Sequence, residues 1–415
     1  MSWNASNVMD QRVSFISASI VGEMSMTELC TLYSISRVTG YKWLRRYQGE
    51  GAAGLADRSS APHLHGRQTP ETIVQAVIAL RRQRPNWGPK KLVAYLSAKQ
   101  PGTPWPAPST AGEILKRAGL VEPRRKRRRT PVTGLALTHP LYPNHVCSAD
   151  HKGWVTTAYG ARLEPLTVTD GFSRYLVALS ATQTTRANEA HPLFRRAFEE
   201  HGLPEVIRTD NGSPFASASV TGLTSLSAHW TRLGIRHERI IPGKPQQNGR
   251  HERFHLTLKE AMTPPEKSQA EQQRRFDCYR QDYNEERPHE ALGQTPPCQF
   301  YRQSQRSMPE RVPEPDYPAG AKIRRVRSNG EIKWKGGLIY ISSAIIGDLV
   351  GLVEIDNDTF EVHFYARPIG QLDPSTNKLK PITNHQPPTT NHQPPTTERA
   401  IPAKTVNHLS GPFCK

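Results

Sequence analysis

Three short apolar runs follow one another after residue 144 with no room for a helix between them. They are HVCSADHKGWV, RLEPLTVTD and RYLVALSA, and each reads as a strand, with Asp170-Gly171 as a hairpin turn signal between the second and third. The pattern then changes. NEAHPLFRRAFEEHG is a helix closed by Gly202, and PEVIRTD is a buried strand. VTGLTSLSAHWTRLG is a helix with glycine at its end, IRHERII is a strand before Pro242, and a long helix runs from about Pro245. Three meandering strands, then helix–strand–helix–strand–helix, describe a mixed α/β sheet with helices on both faces.

Three carboxylates fall at telling places in that order. Asp150 lies within the first strand. Asp210 ends the fourth, where Asn211-Gly212 turns the chain, and Glu252 sits early in the long helix. A strand that ends in an acid and a tight turn is how α/β sheets present ligands. Two like charges about 4 Å apart repel by roughly 4 kcal/mol at an effective dielectric near 20. Three bare carboxylates would therefore partly protonate. Two Mg²⁺ (or Mn²⁺) ions about 3.5–4 Å apart reverse that balance and clamp the attacking and leaving oxygens of an in-line phosphoryl transfer. Mg²⁺ suits the role because it keeps waters and substrate oxygens in its shell. Glu238 and Asp170 are the rival acids. Glu238 sits mid-strand beside Arg236 and Arg239, where a salt bridge accounts for it, and Asp170 is a turn residue.

The flanks are basic. The chain carries 55 Lys and Arg against 37 Asp and Glu, a formal charge of +18, and a positive field of that size gathers phosphates. Residues 10–48 read as helices. Thr27–Leu32 is short, a break follows at Tyr33–Ile35, and Ser36 caps a second helix in which Val38, Tyr41, Trp43 and Leu44 supply apolar contacts. Arg37, Thr39, Lys42, Arg45 and Arg46 then point outward, the helix-turn-helix pattern whose second helix enters the major groove of double-stranded DNA. Residues 49–68 are a linker. In 69–122 Thr69 caps a helix with Pro70 at its first position and Ile73, Ala76, Val77 and Leu80 on one face. Another helix starts at Pro89 with Leu92 and Leu96 on one face. A third begins at Thr110, with Glu113 at capping-box spacing, so a second helix-turn-helix unit is expected with Lys116 and Arg117 on its last helix. Arg124, Arg125, Lys126, Arg127, Arg128 and Arg129 form a basic linker (123–143) that tracks phosphate.

Beyond the α/β region (144–300) and a Pro-rich linker (301–319), residues 320–373 alternate as strands, pairing across Asn329-Gly330 and across Asp356–Asp358. A small SH3-like β-barrel is expected. The tail 374–415 repeats TNHQPPT in tandem and cannot bury a core. Five scattered cysteines form no CxxC pair and fit reduced thiols in a cytoplasmic protein. No apolar run approaches membrane length, so no membrane partner is expected.

The motifs SADHKG, IRTDNGSPF, GKPQQNGRHERFHLTL and YNEERPHEAL resemble, in this order, the integrase-core transposases of bacterial insertion sequences, which are relatives of the retroviral integrases. The resemblance covers roughly residues 20–300. It implies a ribonuclease H-like core and the Asp, Asp, Glu triad at Asp150, Asp210 and Glu252. It also implies binding of a mobile element's ends, their cleavage, and joining of the 3′-hydroxyl to target DNA by an assembly of at least two copies in the bacterial cytoplasm, at the nucleoid. In this sequence 41 residues lie between Asp210 and Glu252, more than is usual for the family, and the excess falls in 216–226 as a loop extension. Lys244, Asn248, Arg250 and Lys259, with the cations around Glu252, are expected to face the DNA. In YNEERPHEAL the Arg287-Pro288 break pins the segment after the core. Two alternatives share parts of this pattern: a transposase-derived DNA-binding protein that no longer cuts, and a ribonuclease H-type nuclease acting on RNA–DNA hybrids.

Overall fold

The computed structural model describes residues 8–58, 68–122, 137–356, 359–373, 376 and 378–382. The Arg124–Arg129 run and the repeated tail lie outside the described residues. The chain forms two compact units divided after Pro70.

The first unit packs α1 (Val8–Val21), α2 (Met26–Leu32) and α3 (Arg37–Glu50) around Phe15, Leu29, Cys30, Trp43 and Leu55. Ser25 and Glu28 close a capping box on α2, and Ser36 Oγ accepts from the Thr39 amide at 3.2 Å to start α3. A Cβ at Gly40 would stand 2.6 Å from Cys30 Sγ, so only glycine lets α2 and α3 cross this closely. The helical phase differs from the expectation. Gly40 and Trp43 face the core, whereas Val38 and Tyr41, expected inside, are 80% and 48% exposed. They lie two residues from the buried positions and so a half-turn away on the helix.

In the second unit α4 (Glu71–Gln83), α5 (Pro89–Lys99) and α6 (Pro108–Arg117) enclose Val77, Leu80, Trp87, Leu92, Ala111, Ile114 and Leu115. Thr110 does not cap α6. Pro108 occupies its first turn and Ala107 its N-cap, with no side-chain cap, because the fixed φ of proline starts the helix two residues earlier. Glu113 therefore has no capping box to complete.

The central sheet follows the order expected. Its strands are β1 (Val146–His151), β4 (Leu166–Asp170), β5 (Leu176–Ser180), β6 (Val206–Thr209) and β7 (Arg236–Arg239), and a short ribbon of β2 (Val155–Thr156) and β3 (Arg162–Leu163) lies beside them. Their order is β5-β4-β1-β6-β7, antiparallel from β5 to β1 and parallel from β1 to β7. α7 (Ala187–His201) and α8 (Ser225–Arg232) cover one face over Cys147, Ala149, Leu166 and Val168. α9 (Gly249–Met262) and α10 (Gln269–Glu285) cover the other, with Phe254, Leu258 and Phe276. This is a ribonuclease H-like core. The α4–α6 unit is tied to it by a forked Arg84–Asp282 pair and by Lys99–Glu286 at 2.9 Å.

The C-terminal region departs from the barrel expected. β8 (Lys322–Arg325), β9 (Glu331–Trp334), β10 (Gly337–Tyr340), β11 (Leu349–Asp356), β12 (Thr359–Phe364), β13 (Arg367–Asp373) and β14 (Lys378–Lys380) form an open five-stranded sheet, β14-β13-β12-β11-β8, and a β10-β9 ribbon. Among the described residues no closed barrel forms. Asn329-Gly330 does not pair the strands on its two sides. β8 pairs with β11, and β9 turns onto β10 at Lys335-Gly336, where both φ values are positive as a two-residue hairpin requires. Phe360, Val362 and Phe364 line the core on one face, as their alternation dictates. Leu223 and Ala228 enter the same core, and Arg232 forks onto Asp348 at 2.6 and 3.1 Å, so this sheet sits against α8.

Candidate active site

Strand alternation sends Cys147 and Ala149 into the α7–α8 core and leaves Ser148 and Asp150 on the α9 face. Asp150 stands opposite Thr167 across the β1–β4 pair. Asp210 follows the last residue of β6, and its Oδ1 accepts the Gly212 amide at 3.0 Å. The Asn211 amide donates to Ile240 O at 2.7 Å, pinning the turn to the end of β7. Glu252 is exposed in the first turn of α9. Burial pushes the Asp150 carboxyl up to about 7, and the nearby Asp210 and Glu252 carboxylates add to the shift. The His151 amide and Lys152 oppose it. Asp210 at the end of β6 and Glu252 on α9 thus both act on Asp150 of β1.

The rival acids are engaged elsewhere. Glu238 takes the Arg208 guanidinium at 2.8 Å and the Thr138 amide and hydroxyl, which together hold its carboxyl below the usual range. Asp170 is buried and accepts from the Asn144 amide and from both the amide and hydroxyl of Ser173.

His251 and His255, which stand in sequence among the cations around Glu252, are buried and neutral. Burial pushes His251 down to about 3, and burial with neighbouring His251 and Lys152 pushes His255 to about 2. His251 Nε2 and Nδ1 lie 2.7 and 2.9 Å from the Thr167 and Thr169 hydroxyls, and His255 Nε2 lies 3.0 Å from Thr167. Asp150, His251 and His255 offer ligand atoms within 4.8 Å of one another. The signal was present: histidines four apart share a helix face, and LTVTD alternates its threonines to one side of a strand.

A buried carboxyl raised first by burial and then by two neighbouring carboxylates is a site short of positive charge. Its donors are mainly hard oxygens, with two imidazoles alongside, and these fit a divalent cation.

The expected DNA contacts divide. Arg37, Lys42 and Arg45 are exposed on α3. Thr39 is half-buried with its hydroxyl 2.9 Å from Ser36 Oγ, and Arg46 donates to Ala56 O while stacking 4.8 Å over Trp43. Lys116 and Arg117 are exposed at the end of α6, and Arg250 and Lys259 are exposed on α9. Lys244 is half-buried. Asn248 is 5% exposed and, with Arg174, Arg208 and His251, lines a cavity of about 490 Å³.

Integrase core domain families match residues 141–245 and 233–297, a homeodomain-like family matches 39–115, and a helix-turn-helix family matches 11–63. The chain is 28% identical to the uncharacterized 31.7 kDa protein of insertion element IS407 from Burkholderia multivorans, over 55% of this chain and 80% of the relative. It is 31% identical to the uncharacterized 39.2 kDa protein of insertion element IS476 from Xanthomonas euvesicatoria, over 43% of this chain and about half, 51%, of the relative. Among solved structures, the catalytic core domain of HTLV-2 integrase in complex with magnesium aligns with 39% of this chain and 99% of its own, at 19% identity and a TM-score of 0.29. Integrase core families thus match the chain behind helix-turn-helix families, and its relatives include insertion-element proteins, so the chain is similar to the integrase-core proteins of insertion elements.

Proposed function

We propose that the protein binds the terminal inverted repeats of its element, cleaves at the element's ends, and joins the freed 3′-hydroxyl to target DNA. The observation that supports this reading is the Asp150 carboxyl, which burial pushes up to about 7 with the Asp210 and Glu252 carboxylates adding to the rise. Two Mg²⁺ or Mn²⁺ ions held by these carboxylates would neutralise the cluster and stabilise the charge on the attacking and leaving oxygens at phosphorus.

The protein supplies position. The tight turn after β6 holds the Asp210 carboxylate against the Gly212 amide, and β1, centred in the sheet, holds Asp150. Glu252 stands on the solvent side of α9, open to a DNA end. Cleavage and joining are both displacements at phosphorus by an oxygen nucleophile, so one centre serves both, and neither needs a covalent enzyme intermediate. Arg37, Lys42 and Arg45 on α3, together with Lys116 and Arg117, would engage repeat DNA, while Arg250 and Lys259 would lie along the end being cut. Holding two ends at once calls for at least two copies of the chain.

The test uses purified protein, labelled repeat-end DNA and Mg²⁺ or Mn²⁺. Asp150→Asn, Asp210→Asn and Glu252→Gln are each expected to abolish cleavage and joining while leaving end binding nearly intact. Full joining by any one of the three would remove the mechanism.

A further inference from the structure

The protons around Thr167 can be placed one by one. The Asp150 carbonyl can only accept, so the Thr167 hydroxyl donates to it at 2.9 Å. A hydroxyl has one proton. The Thr167 oxygen therefore receives N–H from His251 Nε2 at 2.7 Å and from His255 Nε2 at 3.0 Å. His251 Nδ1 then accepts from the Thr169 hydroxyl at 2.9 Å, which satisfies that ring. His255 differs. Its Nε2 carries the proton toward Thr167, so in the neutral ring its Nδ1 presents a bare lone pair.

That lone pair faces Asp150 Oδ2 at 4.0 Å. The gap is too wide for a hydrogen bond. Among the described residues no donor reaches His255 Nδ1. It is, however, within the span of two metal–ligand bonds of about 2.1 Å each. Two Lewis bases this close, with the Asp210 and Glu252 carboxylates acting on the same group, form a donor set suited to a cation.

We propose that His255 Nδ1 joins Asp150 as a ligand of a divalent cation, giving this carboxylate centre one nitrogen donor and a preference for Mn²⁺ over Mg²⁺. Mg²⁺ favours hard oxygen ligands, whereas imidazole nitrogen strengthens binding of first-row transition ions. The inference rests on the carboxylate reading above and adds a ligand to it. The Thr167 hydroxyl fixes the tautomer that makes the nitrogen available, as hydrogen-bond partners of the other ring nitrogen commonly do at metal-bound histidines.

The experiment titrates full-length protein with Mn²⁺ alone and reads pulsed electron paramagnetic resonance. Nitrogen modulation on the bound Mn²⁺ is expected, changing to the ¹⁵N pattern in protein labelled with ¹⁵N-histidine, a readout that needs no mutation. His255→Gln should abolish the modulation and weaken Mn²⁺ binding about tenfold, with Mg²⁺ affinity changed by less than about twofold. His151→Gln should leave the modulation in place. Mn²⁺ that binds in an Asp150-dependent way without histidine modulation would overturn this inference and leave the carboxylate centre standing. Modulation that survives His255→Gln overturns it too. Absence of any Mn²⁺ binding sensitive to Asp150→Asn would sink the carboxylate reading as well.

Discussion

Asp150 and Thr167 face each other across the antiparallel β1–β4 pair, and the Thr167 hydroxyl donates to the Asp150 carbonyl at 2.9 Å while taking two imidazole N–H groups. One hydroxyl thereby couples the strand that carries the first candidate carboxylate to the helix that carries the third.

Replacing Thr167 with Val keeps the shape and removes the oxygen. Two buried ring N–H groups and a carbonyl lose their partner, and each such loss costs roughly 1–3 kcal/mol where water cannot enter. Thr167→Val is expected to lower the unfolding free energy by at least about 3 kcal/mol, measured by denaturant titration. Thr169→Val strands only His251 Nδ1 and should cost about 1 kcal/mol. Equal effects of the two substitutions would contradict the shared acceptor.

The pH dependence follows from Asp150. A carboxyl held at about 7 in the folded chain, against about 3.9 when unfolded, binds its proton more tightly when folded. The stability this provides is complete below about pH 4 and is lost as pH rises to about 7. The side chain is 18% exposed, so the penalty reached above pH 7 is at most about 4 kcal/mol. In EDTA, Asp150→Asn should therefore gain on the wild type between pH 5 and 8, read as a growing difference in Tm. Saturating Mg²⁺ or Mn²⁺ should raise the Tm of the wild type and not that of the variant. A Tm difference independent of pH would mean that burial and the neighbouring carboxylates do not raise the Asp150 carboxyl.

Much of this was legible in the sequence. Apolar runs separated by turns too short for helices set the mixed sheet, and TDNG after a buried strand marked Asp210. What escaped depended on partners distant in the chain. His251 and His255 look like cations beside Arg250 and Arg253 until Thr167 and Thr169 of β4 cover them. Asn329-Gly330 has the composition of a hairpin, yet β8 finds β11 and leaves β9 to β10. Val38 and Tyr41 looked apolar enough to be inside, but Gly40, chosen by the close approach of Cys30, sets the face that α3 buries. Local pattern fixes the element, and tertiary contact fixes its rotation and its neighbour.

That rotation changes which arginines are free for DNA. Arg37, Lys42 and Arg45 are exposed, whereas Arg46 is held by the Ala56 carbonyl and the Trp43 ring. Each exposed cation that contacts phosphate contributes about 0.9 to the slope of log K against log salt. Arg37→Ala, Lys42→Ala and Arg45→Ala are expected to flatten that slope by about this amount each, measured by fluorescence anisotropy on repeat-end DNA. Arg46→Ala should instead lower stability by about 1 kcal/mol and leave the slope unchanged. Slopes that ignore all four substitutions would exclude α3 from the contact.

The α4–α6 unit meets the core through charge. Arg84 forks onto Asp282 of α10, and Lys99 reaches Glu286 one turn further on. Both members of the Arg84 pair are about a quarter exposed, so the pair is neither fully screened nor fully desolvated. Asp282→Arg sets two guanidiniums against each other and should loosen the unit, seen as faster amide exchange in α4 and α5. The double variant Arg84→Asp, Asp282→Arg restores opposite charges, and slow exchange should largely return, with a coupling of about 1 kcal/mol across the cycle. Purely additive effects would mean that apolar contacts alone seat these helices, and that the ion pair only decorates the join.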